Sequence, residues 1–220
     1  MNVLSTVHLR HNRIMLALHK VQEGNGRPLL LLHGLGEDAR RMTTVDIAWA
    51  GPVWALDFTG HGESTVPSGG GYSCEILMAD VDIALRHTGE ATILGRGLGA
   101  YVAFLISGAR PQLVKGAVLT DGPGLAGGPV HVSSTSEIAY SPRTGTAPDP
   151  WALIELSRDA RPATYALTFL RLAMNGTSLD DPITSCCRVA PPWLEAINAE
   201  PGVANGMSVQ EALDMYAAVS

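Results

Sequence analysis

Three short glycine-rich segments contain the residues of this chain whose types and spacing could do chemistry. They read His-Gly-Leu-Gly at 33–36, Asp-Phe-Thr-Gly-His-Gly-Glu-Ser at 57–64 and Gly-Arg-Gly-Leu-Gly at 95–99. Each follows a run of apolar residues directly, which predicts a turn at the end of a buried strand. Open parallel sheets bind their ligands outside the carboxyl ends of the strands. The three segments therefore predict one crevice for a ligand or a substrate.

The third segment predicts a strand that turns at once into a helix. Gly95 and Gly99 let the strand and the helix approach more closely than a Cβ atom would allow. The amide of Leu98 would then point into the crevice at a helix N-terminus, where negative charge is favoured. Leu35, which follows Gly34 in the first segment, could offer a second amide. Two such donors form an oxyanion hole, which stabilises the charge that develops in acyl transfer.

The three segments, in this order, resemble the α/β-hydrolase family, and the resemblance covers about residues 6–125. It implies that the first turn is the oxyanion loop, the second a structural turn and the third the nucleophile elbow, Gly-x-Ser-x-Gly. It also implies hydrolysis of small acyl, ester or amide compounds. The oxyanion or ligand-binding residues on this reading are His33, Gly34, Leu35 and Leu98.

The nucleophile position is where the sequence departs from the family. It holds Gly97, which has no side chain and cannot attack a carbonyl carbon. The catalytic histidine of the family follows the last strand, whereas the last histidine here is His131, with none in the 89 residues after it. Asp121 ends a predicted strand where some branches of the family keep the triad carboxylate. Because a lone carboxylate cannot run a Ser-His relay, we predict weak or no serine-hydrolase activity.

Two functions remain open from the sequence. A hydrolase-like enzyme could activate water through His61, His33 or Asp121, with the two amides holding developing charge. Alternatively, a protein without catalysis could bind a small ligand or a partner on the hydrolase scaffold. Because the elbow of the family accommodates serine, we expect Gly97→Ser to fold under either interpretation.

A third interpretation treats residues 95–100 as a dinucleotide fingerprint, because they follow a strand, open a helix and fit Gly-x-Gly-x-x-Ala. Asp121 lies 26 positions after Gly95, near where a ribose-binding acid belongs. However, this fingerprint normally follows the first strand of its sheet, and it leaves the other two segments unexplained.

The elements that position these turns are predicted from hydrophobic periodicity and from glycine and proline breaks. A β-hairpin over residues 6–22 turns at Asn12, and short apolar strands alternate with helices after it. This order predicts right-handed βαβ crossovers, and therefore an α/β fold with a mostly parallel sheet and helices on both faces. The strands are expected at 28–33, 52–57, 91–94 and 114–120, and the helices at about 36–49, 73–87 and 100–109.

The pattern weakens after residue 121. A long loop is predicted at 122–150, helices at about 151–158 and 163–174, a strand at 183–189 and a last helix that begins with a Ser208/Glu211 capping box. The C-terminal part is expected to be short by a strand and a loop. We predict one domain over residues 1–220, in which residues 123–175 form a lid or a reduced cap over the crevice.

The amino-acid composition argues against some classes of binding partner. A formal net charge of −6 argues against nucleic acid or an anionic membrane as a partner, and 46% hydrophobic residues predict a substantial core. The three cysteines form neither a disulfide framework nor a zinc spacing. The N-terminal residues do not resemble a signal peptide. We therefore expect a cytoplasmic protein without metal or cofactor that takes a small-molecule ligand or substrate; its oligomeric state stays open.

Overall fold

The computed structural model of the protein describes residues 2–126, 145–157 and 162–219. The strands in these ranges are β1 Ser5–His11, β2 Ile14–Gln22, β3 Leu29–Leu32, β4 Val53–Leu56, β5 Ala91–Arg96, β6 Val114–Thr120, β7 Ile183–Ser185 and β8 Val203–Asn205. The helices are α1 Ala39–Met42, α2 Cys74–Thr88, α3 Leu98–Ala109, α4 Pro150–Ser157, α5 Ala163–Gly176, α6 Pro192–Asn198 and α7 Val209–Ala217.

The described strands form one sheet with the order β1-β2-β4-β3-β5-β6-β7-β8. β2 pairs antiparallel with β1 and with β4, whereas the other neighbouring pairs are parallel. The hairpin between β1 and β2 turns at Asn12, whose φ is 56°. The mostly parallel α/β sheet predicted from the sequence is confirmed.

Helices cover both faces of the sheet, as predicted. α2 and α3 lie on one face, and α1 and α7 lie on the other. The sequence of β3 is purely apolar because both of its faces are covered. Leu30 and Leu32 pack in the core on the side of α2 and α3, and Leu29 and Leu31 pack in the core on the side of α1 and α7. This division follows from the two-residue period of a strand. A strand covered in this way needs apolar residues at every position.

The described C-terminal part differs from the prediction. The strand expected at 183–189 ends at Ser185, and the described residues include a further strand, β8, which the sequence analysis missed. The C-terminal part is therefore not short by a strand. Both strands have only three residues, too few to give a periodic signal.

Two other predicted segments are the helix after β3 and the lid. The helix expected at 36–49 is reduced to Ala39–Met42, which Asp38 caps through the amide of Arg41. The predicted lid at 123–175 includes residues 127–144 and 158–161, which lie outside the described residues, so it stays a prediction. The rest of that range contains α4 and α5, of which α5 packs against α3.

Candidate functional site

The amides of Leu35 and Leu98 converge on one point at the carboxyl edge of the sheet, where the first and third turns meet. Both donate a hydrogen bond to the backbone carbonyl oxygen of Pro123, at 3.0 and 2.8 Å respectively. A carbonyl oxygen between two converging N–H groups is the arrangement that an oxyanion hole offers to a substrate. In this structure the backbone carbonyl of Pro123 occupies the place that a substrate carbonyl would take.

Gly97 stands between β5 and α3 with φ 58° and ψ −119°. A Cβ atom added there would lie 2.1 Å from the carbonyl oxygen of Pro123 and 2.6 Å from the carbonyl carbon of Gly122. These are backbone atoms, so they cannot move aside as a flexible side chain would. A serine at residue 97 would therefore require these backbone atoms to shift, and the expectation that Gly97→Ser folds stays a prediction.

The residues that fill the crevice are Gly122, Pro123 and Gly124, which we call the plug segment. It fits closely: a Cβ atom on Gly124 would lie 2.8 Å from the Cβ of Leu35 and 2.9 Å from that of Leu98. A Cβ atom on Gly122 would lie 2.9 Å from the amide nitrogen of Gly97. The plug segment thus needs glycine on both sides of its proline to reach the two amides.

Contacts on both sides hold the plug segment in place. Before it, the backbone carbonyl of Asp121 accepts a hydrogen bond from Arg96 at 2.8 Å. After it, the carbonyl of the buried Leu125 accepts one from the indole N–H of Trp193, also at 2.8 Å. The sequence analysis missed the roles of Pro123 and Trp193, because a backbone acceptor has no side-chain signature and its donors lie far away in the chain.

The carboxylate of Asp121 faces away from the two amides and toward the segment after β7. Its oxygens accept hydrogen bonds from the amides of Arg188 and Val189, at 2.9 and 3.1 Å. Side-chain carboxylates at strand ends commonly fix neighbouring loops in this way. The structure thus gives Asp121 a contact between two loops.

Asp121→Asn is expected to lower the free energy of unfolding by about 1 kcal/mol, because the asparagine amide would face one of the two exposed N–H groups that the carboxylate accepts. Urea unfolding measures the change. Asp46→Asn removes the charge of an exposed aspartate and should stay within about 0.5 kcal/mol of the wild type. Equal stability of the two variants would contradict the loop-fixing role.

His33 is fully buried, and both of its ring nitrogens contact backbone. Nδ1 lies 2.8 Å from the carbonyl oxygen of Gly34, and Nε2 accepts from the amide of Phe58 at 3.2 Å. The neutral tautomer with the proton on Nδ1 satisfies both contacts. Burial, followed by the neighbouring His61, lowers the pKa of His33 to about 3. His33 therefore joins the first two turns as a neutral ring.

His61 is also fully buried and links the same two turns. Its Nε2 accepts from the amide of Gly36 at 3.3 Å, and its Nδ1 lies 3.2 Å from the carbonyl oxygen of Thr59. Burial lowers the pKa of His61. The ring is therefore neutral, with both nitrogens engaged by the backbone of the turns that it joins.

A buried ion pair that the sequence analysis did not identify joins the second turn to β2. Nε2 of His19 lies 3.0 Å from Oδ2 of Asp57, which also accepts from the amide of Glu63 at 2.7 Å, and Oδ1 of Asp57 accepts from the amide of Ala39 at 2.7 Å. The hydrogen bond with Asp57 raises the pKa of His19. Although burial acts in the opposite direction, hydrogen bonds from His19 and the two amides lower the pKa of Asp57.

The segments after the last two strands hold no imidazole. β7 is followed by Cys186, Cys187 and Arg188, and β8 by Gly206 and Met207. The position at which the family carries its histidine therefore offers no proton acceptor for a residue at 97.

The same geometry bears on the dinucleotide interpretation. The N-terminal amide of α3, which would bind a pyrophosphate, already donates to Pro123, and Asp121 faces the segment after β7.

The described residues contain no group of three or more His, Cys, Asp or Glu side chains that could hold a metal ion. None of the described helices is long and apolar enough to cross a membrane.

Two solved structures share this fold. A hypothetical protein of Pseudomonas aeruginosa PAO1 superposes with a TM-score of 0.63 at 18% identity, over 97% of this chain and 97% of that one. A membrane phospholipase A described as a bacterial virulence factor superposes with a TM-score of 0.54 at 17% identity, over 96% and 84% of the two chains. At these identities the likeness concerns the fold alone.

Curated relatives are similar over part of the chain. An esterase of Mycobacterium tuberculosis is 31% identical over 108 residues, which are 48% of this chain and 36% of the esterase. The (E)-2-((N-methylformamido)methylene)succinate hydrolase of Acinetobacter baylyi is 30% identical over 135 residues, which are 54% and 46% of the two chains. The chain thus spans less than half the length of these relatives.

A family model also matches most of the chain. The model described as the alpha/beta hydrolase family matches residues 29–218, which include all three turns and every strand after the hairpin. The strand order and the position of the turn between β5 and α3 agree with this match. The chain belongs to the α/β-hydrolase family.

Proposed function

We propose that this chain does not catalyse acyl transfer at its nucleophile elbow, and that it acts as a binding protein on the hydrolase scaffold. The observation that carries the proposal is the carbonyl oxygen of Pro123, which accepts hydrogen bonds from the amides of both Leu35 and Leu98. A substrate carbonyl would need that same point in space to be polarised. It would have to break both hydrogen bonds and displace the plug segment before any reaction could begin.

Displacement of the plug segment would still leave the chemistry incomplete. Residue 97 has no side chain, so no covalent intermediate can form there. The three groups proposed to activate water, His33, His61 and Asp121, each contact backbone groups that would lose their partners if the side chain turned toward a substrate. A base with a pKa of about 3, as in His33, is also weak at neutral pH.

The competing proposal is weak hydrolysis of small acyl, ester or amide compounds. It is favoured by the similarity of the chain to an esterase and to a hydrolase of a succinate derivative. Water activated by His61, His33 or Asp121 would then replace the missing nucleophile. This proposal requires an accessible pair of amides, and therefore a plug segment that leaves the crevice.

We expect the protein to hydrolyse a panel of activated acyl esters no faster than the buffer does, because the two amides have an internal acceptor. It should also gain no mass from a fluorophosphonate probe, because residue 97 is glycine. Spectrophotometric rates and intact mass measure the two effects. His61→Ala and Leu98→Pro serve as comparison variants, the latter because proline removes one of the two amides at the first position of α3.

A rate above background that falls in both variants would overturn the proposal and identify a relocated base. A rate that both variants retain would come from elsewhere on the protein, and Cys186→Ser with Cys187→Ser would test the two partly exposed thiols. Neither the proposal nor its alternative depends on the identity of the acyl group, so the panel can remain small.

A further inference from the structure

A cavity of about 270 Å³ lies beside Arg96 and Asp121 at the carboxyl edge of the sheet. Arg96 and Leu94 are two residues apart in β5, so their side chains point to the same face of the sheet, the face covered by α1 and α7. The nucleophile position faces the crevice instead. The cavity is therefore a separate compartment at the carboxyl edge of the sheet, just below the size range of typical small-molecule sites.

The floor of the cavity is aliphatic. It is formed by Met42 of α1, Leu94 of β5, Val45 and Val209, of which the first two are almost fully buried. Aliphatic walls of this kind favour a hydrocarbon chain, because binding removes the apolar surface of both from water.

The rim of the cavity is polar and contains Thr120, Asp121 and two guanidinium groups. That of Arg96 is occupied, since its Nε lies 3.1 Å from a carboxylate oxygen of Glu37. That of Arg188 is 96% exposed, and its only ion pair among the described residues is a 3.9 Å contact with Asp121. The Asp121 carboxylate already accepts two backbone amides, so Arg188 can offer its planar fork to another anion.

We propose that this cavity binds a small aliphatic monocarboxylate, whose carboxylate pairs with Arg188 and whose chain lies on the floor formed by Met42, Val45, Leu94 and Val209. A single carboxylate matches the guanidinium of Arg188, which has no closer ion-pair partner among the described residues than Asp121 at 3.9 Å, and a short hydrocarbon chain matches the aliphatic floor. The inference rests on the binding role proposed above. The two can fail separately, because ester hydrolysis reports on the crevice and ligand binding reports on the cavity.

The chain provides an internal probe of occupancy. Cys186 lines the cavity, whereas its neighbour Cys187 does not, and both are partly exposed. Burial raises the pKa of Cys186 to about 11 and that of Cys187 to about 12, so alkylation by iodoacetamide is best followed at about pH 9. Peptide mass spectrometry reports the two rates in one sample, and Cys187 serves as the control for Cys186.

Millimolar hexanoate is expected to slow alkylation of Cys186 and to leave that of Cys187 unchanged. Arg188→Gln should raise about threefold the hexanoate concentration that halves the alkylation rate of Cys186, because an exposed charge-assisted pair is lost. Val45→Phe should abolish the protection by filling the floor. Since Arg188 is exposed, its variant is expected to fold, and the thermal unfolding midpoint checks both variants.

Three results would overturn the inference. The first is an alkylation rate of Cys186 that stays unchanged up to the solubility limit of hexanoate. The second is an equal slowing of alkylation at both cysteines. The third is equal protection by hexanol, which would show that the cavity takes an aliphatic chain without recognising a carboxylate. Flat ester hydrolysis together with selective protection of Cys186 would support both proposals.

Discussion

Gly97→Ala is expected to lower the free energy of unfolding by about 3 kcal/mol or more, a loss rare for the addition of one methyl group. Two costs combine in it. A residue other than glycine at a φ of 58° costs about 1–3 kcal/mol. The new Cβ atom would lie 2.1 Å from the carbonyl oxygen of Pro123, and such overpacking costs about 1–3 kcal/mol more. Urea unfolding of both proteins measures the difference.

Gly206→Ala separates these two costs. Gly206 has a φ of 81°, and a Cβ atom added there meets no atom within 4 Å. The control therefore carries the backbone strain without the contact, and Gly97→Ala should exceed it by at least about 1 kcal/mol. Equal losses in the two variants would mean that the plug segment yields freely, and the occupied crevice would then no longer argue against catalysis.

Gly97→Ser extends the same test to function. If it folds, the plug segment has moved and the amides of Leu35 and Leu98 are accessible. The serine would still lack a base, because the described residues after β8 contain no histidine and both ring nitrogens of His61 are engaged. We therefore expect no acyl-enzyme from this variant, which separates a lost nucleophile from a lost relay.

The scaffold of the site could be predicted from the sequence, because short-range patterns determine it. Each of the three turns follows a strand whose residues are almost all apolar, and Gly95 and Gly99 indicate where a strand turns into a helix. The position of the amides of Leu35 and Leu98 follows from those turns. Their proximity to each other follows from the parallel order of β3 and β5.

The contents of the site could not be predicted in this way. Residues 122–124 read as an ordinary Gly-Pro-Gly turn, and nothing in them shows that the carbonyl of Pro123 will meet amides at positions 35 and 98. The pair of His19 and Asp57 is separated by 38 residues and depends on the antiparallel register of β2 and β4. Contacts of this kind exist only after the sheet has assembled, so periodicity and turn chemistry do not encode them.

Acidification is expected to destabilise the protein below about pH 6.5, chiefly through His33. Its pKa is about 3 in the fold and near 6.5 in the unfolded chain. Between these values the unfolded chain binds a proton that the folded chain does not, so the free energy of unfolding falls by about 1.4 kcal/mol per pH unit for this group. His61, whose pKa burial also lowers, acts in the same direction.

Two other buried groups modify this dependence. Burial raises the pKa of Asp80 to about 6, so the folded chain holds a proton there between about pH 3.8 and 6, which opposes the two histidines. His19 has a raised pKa, so its stabilising effect is complete below about pH 6.5 and is lost as pH rises through its folded value. On the acid side the two histidines and Asp80 therefore act in opposite directions, and above about pH 6.5 stability declines as His19 loses its proton.

Two variants test which histidine causes the loss of stability on each side of about pH 6.5. His33→Gln should reduce the slope between pH 6 and 4 by about one proton, which is about 1.4 kcal/mol per unit, whatever its effect on stability at neutral pH. His19→Gln should leave that slope unchanged and remove the decline above about pH 6.5, because His19 is protonated in both states below that pH. Urea midpoints across the pH range measure the slopes. A wild-type acid slope in His33→Gln would mean that His33 takes up a proton inside the fold, which its contacts with Gly34 and Phe58 argue against.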